Sequence, residues 1–523
     1  MKRFCTEGPV KPDIHYFLPP LERVDQREIL GLMDAQRYFI MHAPRQTGKT
    51  SALLALMVAI NETGRYKALY INIEGAQANR DDTAGAMRTI LSVIADRALR
   101  YLADPYPDQI FDEVVRRGNG TDALRLMLTR WCAHSEKPIV LLIDEIDALV
   151  GDSLISVLRQ LRAGYADRPQ GFPQSIVLCG VRDLQDYRIH GTREVITGGS
   201  AFNVKAESLR IGDFTPADVR KLYEQHTAET GQRFEEPVYD LVWTYTQGQP
   251  WLVNALADQA CFRLETDRSK PVTAALIEQA KENLILKRVT HLDQLTDKLK
   301  EERVRAVIEP IVAAEDETGL ELVNSDHVRY VIDLGLIRRG PNGLEISNGI
   351  YKEVIPRELN HMMQDAFLTR ERQAWYVLPD GRLDMNKMLE NFQQFYRENS
   401  ESWLGRYEYK EAGPHLILQA FLQRIVNGGG SIDREYALGL HRTDLLVKWA
   451  AQRFVIETKV LRKSLEKTAE SGLVQIAGYM DKTGCDNAHL VIFDPRKEIS
   501  WDEKVYRRPG STPDGKSVTI WGM

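Results

Sequence analysis

The sequence predicts an α/β chain built on a mainly parallel sheet, and three observations lead there. A strand-like run, Tyr38 to His42, passes through the loop APRQTGKT (Ala43 to Thr50) into the apolar helical run SALLALMVAI. A second apolar strand, IVLLI (Ile139 to Ile143), ends on Asp144 and Glu145. Around both, short apolar strands alternate with helical stretches, the pattern of parallel strands covered by helices.

The 523 residues exceed one ordinary domain, and the length suggests about three. The strands of the first block, 1–285, fall at 38–42, 68–73, 139–143 and 175–179, alternating with helical stretches. The block 286–360 is mostly helical and ends in a hairpin. A helical connector, 361–402, leads to a second α/β block, 403–523, with the order helix, three strands, helix, strand.

Composition is that of a globular protein in water, 43% hydrophobic and 27% charged. The longest apolar run, Ala52 to Ile60, is about half of what a membrane helix needs. Lys2 and Arg3 are followed by no apolar stretch before Asp13, which argues against a secretory signal and for a cytoplasmic protein. Cys5, Cys132, Cys179, Cys261 and Cys485 are scattered, odd in number and without metal-type spacing, as expected of reduced thiols. The net charge of −6 confines any nucleic-acid contact to a local patch.

The loop 43–50 has the context a Walker A motif requires, a strand before it and a helix after. Pro44 shapes the loop, and the successive backbone N–H groups of Arg45, Gln46, Thr47 and Gly48 lead into a helix N-terminus, a cradle for phosphate. Lys49 is expected to reach the β and γ phosphates of ATP, and the Thr50 hydroxyl to hold Mg²⁺. Ala43 stands where the usual pattern has its first glycine. Downstream, Asp144 at a strand tip is suited to the Mg²⁺ shell and Glu145 to polarising the attacking water. Two adjacent acids there are costly unless a cation is near.

Two further features fit that site. Arg182 follows the strand SIVLCG (Ser175 to Gly180). Gly248-Gln-Pro250-Trp251-Leu252 opens the helix LVNALADQA, with proline in the first turn. Together APRQTGKT, LLIDEID, CGVRD and GQPWL make the region from about 8 to 355 resemble the AAA-like, STAND-related P-loop ATPases. That resemblance implies a P-loop NTPase core with a helical lid, and a loose base-contact role for Pro20, Leu21 and Arg23 in HYFLPPLERVD. It also implies that Arg182 reads the γ-phosphate; the alternative is an arginine on a surface loop. The run SVLRQLRAGYA (156–166) places Arg159 and Arg162 on the helix after Asp144; the expectation is a homo-oligomer in which one of them serves a neighbouring subunit's site, unless that helix face is merely solvated.

In the second block, the caps Asn324, Ser325 and Asp326 precede HVRYVIDLG, and two short strands flank Pro-Asn-Gly (341–343). This shape resembles a winged helix. Arg338 and Arg339 there touch nucleic acid, or the module serves only as a lid.

In the last block, Glu411 opens the amphipathic helix EAGPHLILQAFLQRIV. Asp444 begins one strand, and Glu457 and Lys459 lie two apart on the next, RFVIETKV, hence on one face. Two carboxylates and a lysine around Mg²⁺ form a site for phosphodiester hydrolysis. Gln475 and Tyr479, four apart on a later helix, share a face. The set Asp444, Glu457-Thr-Lys459, Gln475-xxx-Tyr479 and Glu411 resembles the PD-(D/E)xK nucleases, in particular their RecB-like branch. A surface salt bridge between Glu457 and Lys459 is the plain alternative.

The expectation is thus an ATPase coupled to a metal-dependent nuclease on nucleic acid, DNA more than RNA, with a role in defence against foreign DNA implied by resemblance alone. The rival is a signalling or scaffold ATPase whose nuclease-like fold only binds a partner. A third reading is a DNA-remodelling ATPase acting through Arg338 and Arg339.

Overall fold

A computed structural model describes residues 1–79, 82–181, 188–190, 195–197, 205–286, 297–313, 325–341, 343–359, 376–404, 414–415, 417–419, 421–422, 430–461, except 436–443, then 464–485, 487–496 and 498–523. The chain divides into two compact units, residues 1–291 with 329–336, and residues 292–328 with 337–523.

The first unit is built on five parallel strands: β1 (Tyr38–His42), β2 (Lys67–Asn72), β3 (Ile139–Asp144), β4 (Ser175–Gly180) and β5 (Lys205–Arg210), in the order β2-β3-β4-β1-β5. Strands β3 and β4 are buried along their whole length, which is why they read as unbroken apolar runs rather than alternating ones. The predicted strands at 38–42, 68–73, 139–143 and 175–179 are these, within a residue or two. Strand β5 was not predicted: KAESLR lacks the apolar, β-branched run of a strand buried on both faces, as fits its place at the sheet edge.

Alternate residues of β1 enter different cores. Tyr38 and Ile40 join a cluster with α3 (Thr83–Leu102), α4 (Phe111–His134) and α5 (Gly151–Ala163). Phe39 and Met41 join one with α1 (Gln26–Asp34) and α2 (Lys49–Glu62) on the opposite face. Register aligns His42 with Gly180 and Asn72 with Asp144, so the strand tips meet along one carboxyl edge. Sheets of this kind present ligands there.

A helical group follows: α6 (Pro216–Thr230), α7 (Glu236–Thr246), α8 (Pro250–Gln259) and α9 (Ala274–Leu286). Thr215 and Asp218 form a reciprocal capping box at the start of α6. The N-terminal segment packs here, Phe4 ringed by Tyr16, Tyr223, His226 and Phe262.

In the second unit, α10 (Glu302–Ala313) is followed by an antiparallel hairpin of β6 (Ile337–Gly340) and β7 (Gly343–Ile346), as expected around Pro-Asn-Gly. Between them α11 (Ser325–Asp333) straddles the division, its residues from Arg329 grouping with the first unit. The unit's main sheet has six strands: β8 (Ser431–Glu435), β9 (Asp444–Trp449), β10 (Gln452–Val460), β11 (Ala488–Phe493), β12 (Tyr506–Ser511) and β13 (Ser517–Gly522), in the order β8-β9-β10-β11-β13-β12. Strands β10, β11 and β13 are parallel and the flanking pairs antiparallel. The last two strands are absent from the sequence reading. YRRPGS carries Arg, Pro and Gly and little apolar periodicity, as suits an edge strand.

Helix α12 (Leu465–Thr483) covers one face of this sheet, with Leu446, Val455, Ile476, Tyr479, Leu490 and Ile520 in one cluster. The other face carries Phe493 against Phe392 and Tyr396 of α13 (Met385–Leu404) and against His415.

Candidate functional site

The loop between β1 and α2 wraps as an anion cradle. Gly48 has φ +86° and Gln46 φ +59°, and the helix starts at Lys49. The Thr47 hydroxyl donates to the Pro44 carbonyl at 2.8 Å and closes the turn. Lys49 is buried, its Nζ folded back onto the carbonyls of Ala43 (3.2 Å) and Pro44 (3.1 Å). Ala43 has no left-handed backbone and sits in the core, so alanine meets no conformational demand there that only glycine satisfies.

Beside the loop lies a cavity of about 460 Å³. Gln46, Gly48 and Ser51 line its floor, Phe17, Pro20 and Trp251 its walls. Pro20 and Arg23 border it. Leu21 does not: it packs against the core under α2, because the turn Pro20–Arg23 directs it there. Arg23 is engaged with the loop itself, donating to the carbonyls of Thr47 (2.6 Å) and Gly212 (3.0 Å).

Across the sheet edge, the Thr50 hydroxyl donates to Asp144 Oδ2 at 2.7 Å, and the Tyr70 hydroxyl donates to the same oxygen at 3.0 Å. Asp144 is fully buried, and its other oxygen accepts the Glu145 backbone N–H. Glu145 itself adopts φ +58°. Burial raises its pKa above the usual carboxylate value, opposed by Lys49 and reinforced by Asp144. Lys49, Thr50, Asp144 and Glu145 therefore share one edge, with Arg45 exposed beside them. Asp147 accepts a hydrogen bond from the Val181 N–H, tying the acidic loop to the tip of β4. Arg182 lies outside the described residues.

The turn Gly248-Gln-Pro250 anchors the helical group. Phe214 N–H donates to the Gly248 carbonyl (2.9 Å), and Gly248 has φ +79° with a Cβ position only 2.0 Å from the Phe214 carbonyl. Trp251 donates from its indole to Thr6. The sequence reading missed Tyr70, Phe17 and the N-terminal residues around the cavity. The strand ALYINI offered Tyr70 as a polar tip beside Asp144's strand, but pairing was needed to see it. Arg159 and Arg162 are exposed on α5.

In the second unit, Glu457 and Lys459 point to the face under α12 and form a buried salt bridge, Nζ to Oε1 at 2.8 Å. The alternative of a surface pair is therefore excluded by burial. Leu445 pairs with Ile456, so one further step of the antiparallel ladder sets position Asp444 against Glu457. Tyr479 of α12 joins the cluster between that helix and the sheet, and Gln475 Oε1, one turn earlier, is buried without a hydrogen-bond partner among the described residues. Thr458 faces the other side and bonds His415 Nδ1 at 2.6 Å. Glu411 lies outside the described residues. Among the described residues no three His, Cys, Asp or Glu side chains converge as a metal centre, and the side chain of Asp444 is not one of those described.

Residues 22–356 match the family model of the AAA-like domain. No curated protein matches the chain. Among solved structures, the Walker-type ATPase PABY2304 of Pyrococcus abyssi is similar over 67% of this chain and 99% of its own, at 12% identity and a TM-score of 0.48. The ORC1 protein of Aeropyrum pernix, solved in complex with DNA, is similar over 69% and 96%, at 15% and 0.34. The RuvB Holliday junction branch migration motor of Thermotoga maritima is similar over 65% and 98%, at 12% and 0.32. No helix among the described residues is long and apolar enough to cross a membrane.

Proposed function

The chain belongs to the family of AAA-like domains, and from that premise we propose that it binds and hydrolyses ATP at the edge formed by Lys49, Thr50, Asp144 and Glu145. The observation that carries this reading is the 2.7 Å bond between Thr50 and the buried Asp144, beside the loop from Ala43 to Gly48. Those two oxygens suit a hard cation, and Mg²⁺ bound there would neutralise charge on the β and γ phosphates. Lys49 exchanges its two carbonyl contacts for phosphate oxygens. Glu145 takes a proton from the attacking water, its raised pKa bringing it nearer to working pH. The base lies in the cavity walled by Phe17, Pro20 and Trp251. Arg182 reads the γ-phosphate, and Arg159 or Arg162 completes a neighbour's site in a homo-oligomer. A strictly monomeric Glu145→Gln protein in ATP, by light scattering, would refute that last point.

The second unit is proposed as a PD-(D/E)xK-type nuclease. Asp444 and Glu457 would hold the metal and Lys459 would orient the water, with Gln475, Tyr479 and Glu411 supporting. What supports this is the buried Glu457–Lys459 pair on the face under α12, in register with Asp444. Buried ion pairs are costly to keep for stability alone. Nucleic acid, DNA more than RNA, is the proposed substrate and ATP turnover the proposed control; defence against foreign DNA is the context this pairing suggests.

The test is cleavage of single-stranded and duplex DNA and RNA by the purified chain, with Mg²⁺ and with or without ATP. Divalent-dependent cleavage altered by ATP supports the proposal. ATP hydrolysis without cleavage of any substrate favours the scaffold reading.

A further inference from the structure

Arg23 joins three segments of the first unit through one guanidinium. Nη1 donates to the Thr47 carbonyl in the phosphate loop and to the Gly212 carbonyl just beyond β5. The guanidinium carbon stands 5.3 Å from the centre of the Phe214 ring. Phe214 is in turn bonded through its backbone to Gly248, where no side chain fits. Nη2 lies 2.8 Å from where a Cβ of Gly48 would be, so the arginine occupies the space that glycine leaves open.

The peptide geometry gives this contact a consequence. In a trans peptide the C=O and the following N–H point in opposite directions. Holding the Thr47 carbonyl toward Arg23 therefore turns the Gly48 N–H the other way. In a loop whose curvature is set by left-handed Gln46 and Gly48, a fixed Thr47–Gly48 peptide fixes one donor of the anion cradle.

We propose that Arg23 is a positioning residue for the phosphate cradle, locking the Thr47–Gly48 peptide and linking it through Phe214 to the lid turn at Gly248. The inference rests on the nucleotide-binding reading of the loop. A preset cradle serves any nucleotide whose β-phosphate occupies it, so ATP and ADP depend on Arg23 alike. Lysine retains the charge but not the second nitrogen that fills the space over Gly48 or the planar group beside Phe214, so it replaces arginine only in part.

The experiment is calorimetric titration of MgATP and MgADP into the full chain and its Arg23→Gln and Arg23→Lys variants, with steady-state ATPase kinetics and the thermal midpoint of each without nucleotide. Arg23→Gln is expected to weaken both nucleotides by a similar factor, about tenfold. KM should rise accordingly, with kcat at saturation within about twofold of wild type, since the reacting groups are untouched. Arg23→Lys should fall between. If Arg23→Gln unfolds the protein, Phe214→Leu, which removes the ring and keeps the arginine, should show the same split to a smaller degree. Unchanged affinity in these variants, loss confined to ATP, or loss of kcat alone overturns the inference while leaving the nucleotide site standing. A wild-type chain that binds neither nucleotide overturns the nucleotide reading and this inference with it.

Discussion

Thr50 Oγ1 donates to Asp144 Oδ2 across 2.7 Å, from the first turn of α2 to the tip of β3. Tyr70 supports the same carboxylate oxygen at 3.0 Å, so Asp144 stays oriented if Thr50 lets go. The threonine is thus free to exchange a carboxylate partner for a cation.

Thr50→Ala should then separate metal-dependent from metal-independent binding. Tyr70 and the Glu145 N–H still hold Asp144, so the fold should survive. MgATP affinity is expected to drop by about tenfold, the worth of one good polar contact to a charged group. ATP titrated in excess chelator should bind the variant and wild type equally. Equal MgATP affinity would remove Thr50 from the cation's shell.

Glu145→Gln should bind ATP and lose hydrolysis by about 10²- to 10⁴-fold, the usual contribution of a general base. The pH dependence follows from burial. A folded-state pKa raised above the unfolded value means the folded chain holds the proton longer. That contribution to stability is present at low pH and is lost as pH rises through the window between the two values. At neutral pH the ionised Glu145 is therefore a burden, and Glu145→Gln should melt higher than wild type. The wild-type ATPase rate should also fall on acidification at a pH above the ordinary carboxylate range. Melting curves across pH check both; a lower midpoint for Glu145→Gln at neutral pH would refute the argument.

Gly248→Ala should destabilise the first unit by about 1–3 kcal/mol, the usual cost of a strained backbone position. The backbone there is left-handed and a methyl would overlap the Phe214 carbonyl. Thermal or urea unfolding reads the loss, and an unchanged midpoint would show that the turn relaxes freely.

For the second unit, Asp444→Ala is the informative change, because Glu457 and Lys459 cannot be altered singly without a second effect. Removing either deprives a buried ion of its salt-bridge partner, a cost of about 3–5 kcal/mol. Asp444→Ala leaves that pair intact. It is expected to abolish nucleic-acid cleavage and keep ATP hydrolysis near wild type. Cleavage at the wild-type rate would place the metal elsewhere or leave the scaffold reading in force.

Much of this was legible because local chemistry and fold coincide. The phosphate loop needs a strand before it and a helix after it, and β1 and α2 are strong in their own sequence. The Glu457 and Lys459 pair followed from strand periodicity alone. What escaped were features made by distant residues. Arg23 read as a base contact because no local rule ties it to a carbonyl 24 residues on. Tyr70 reaches Asp144 only because β2 pairs with β3. Strand β12 lacks apolar alternation and is held in the sheet by its pairing with β13, which in turn pairs with β11. The extent of the helical group and the limits of the second unit likewise depend on contacts far apart in sequence.

The central claim is that the loop from Ala43 to Thr50 binds ATP. Calorimetric titration of MgATP into wild type and Lys49→Ala tests it most directly, with the thermal midpoint followed in parallel. Wild type should bind saturably and gain about 2.7 kcal/mol of stability at a hundredfold excess over Kd. Lys49→Ala should fold, show no such gain and bind no ATP. An affinity for ATP in Lys49→Ala equal to wild type would contradict the account.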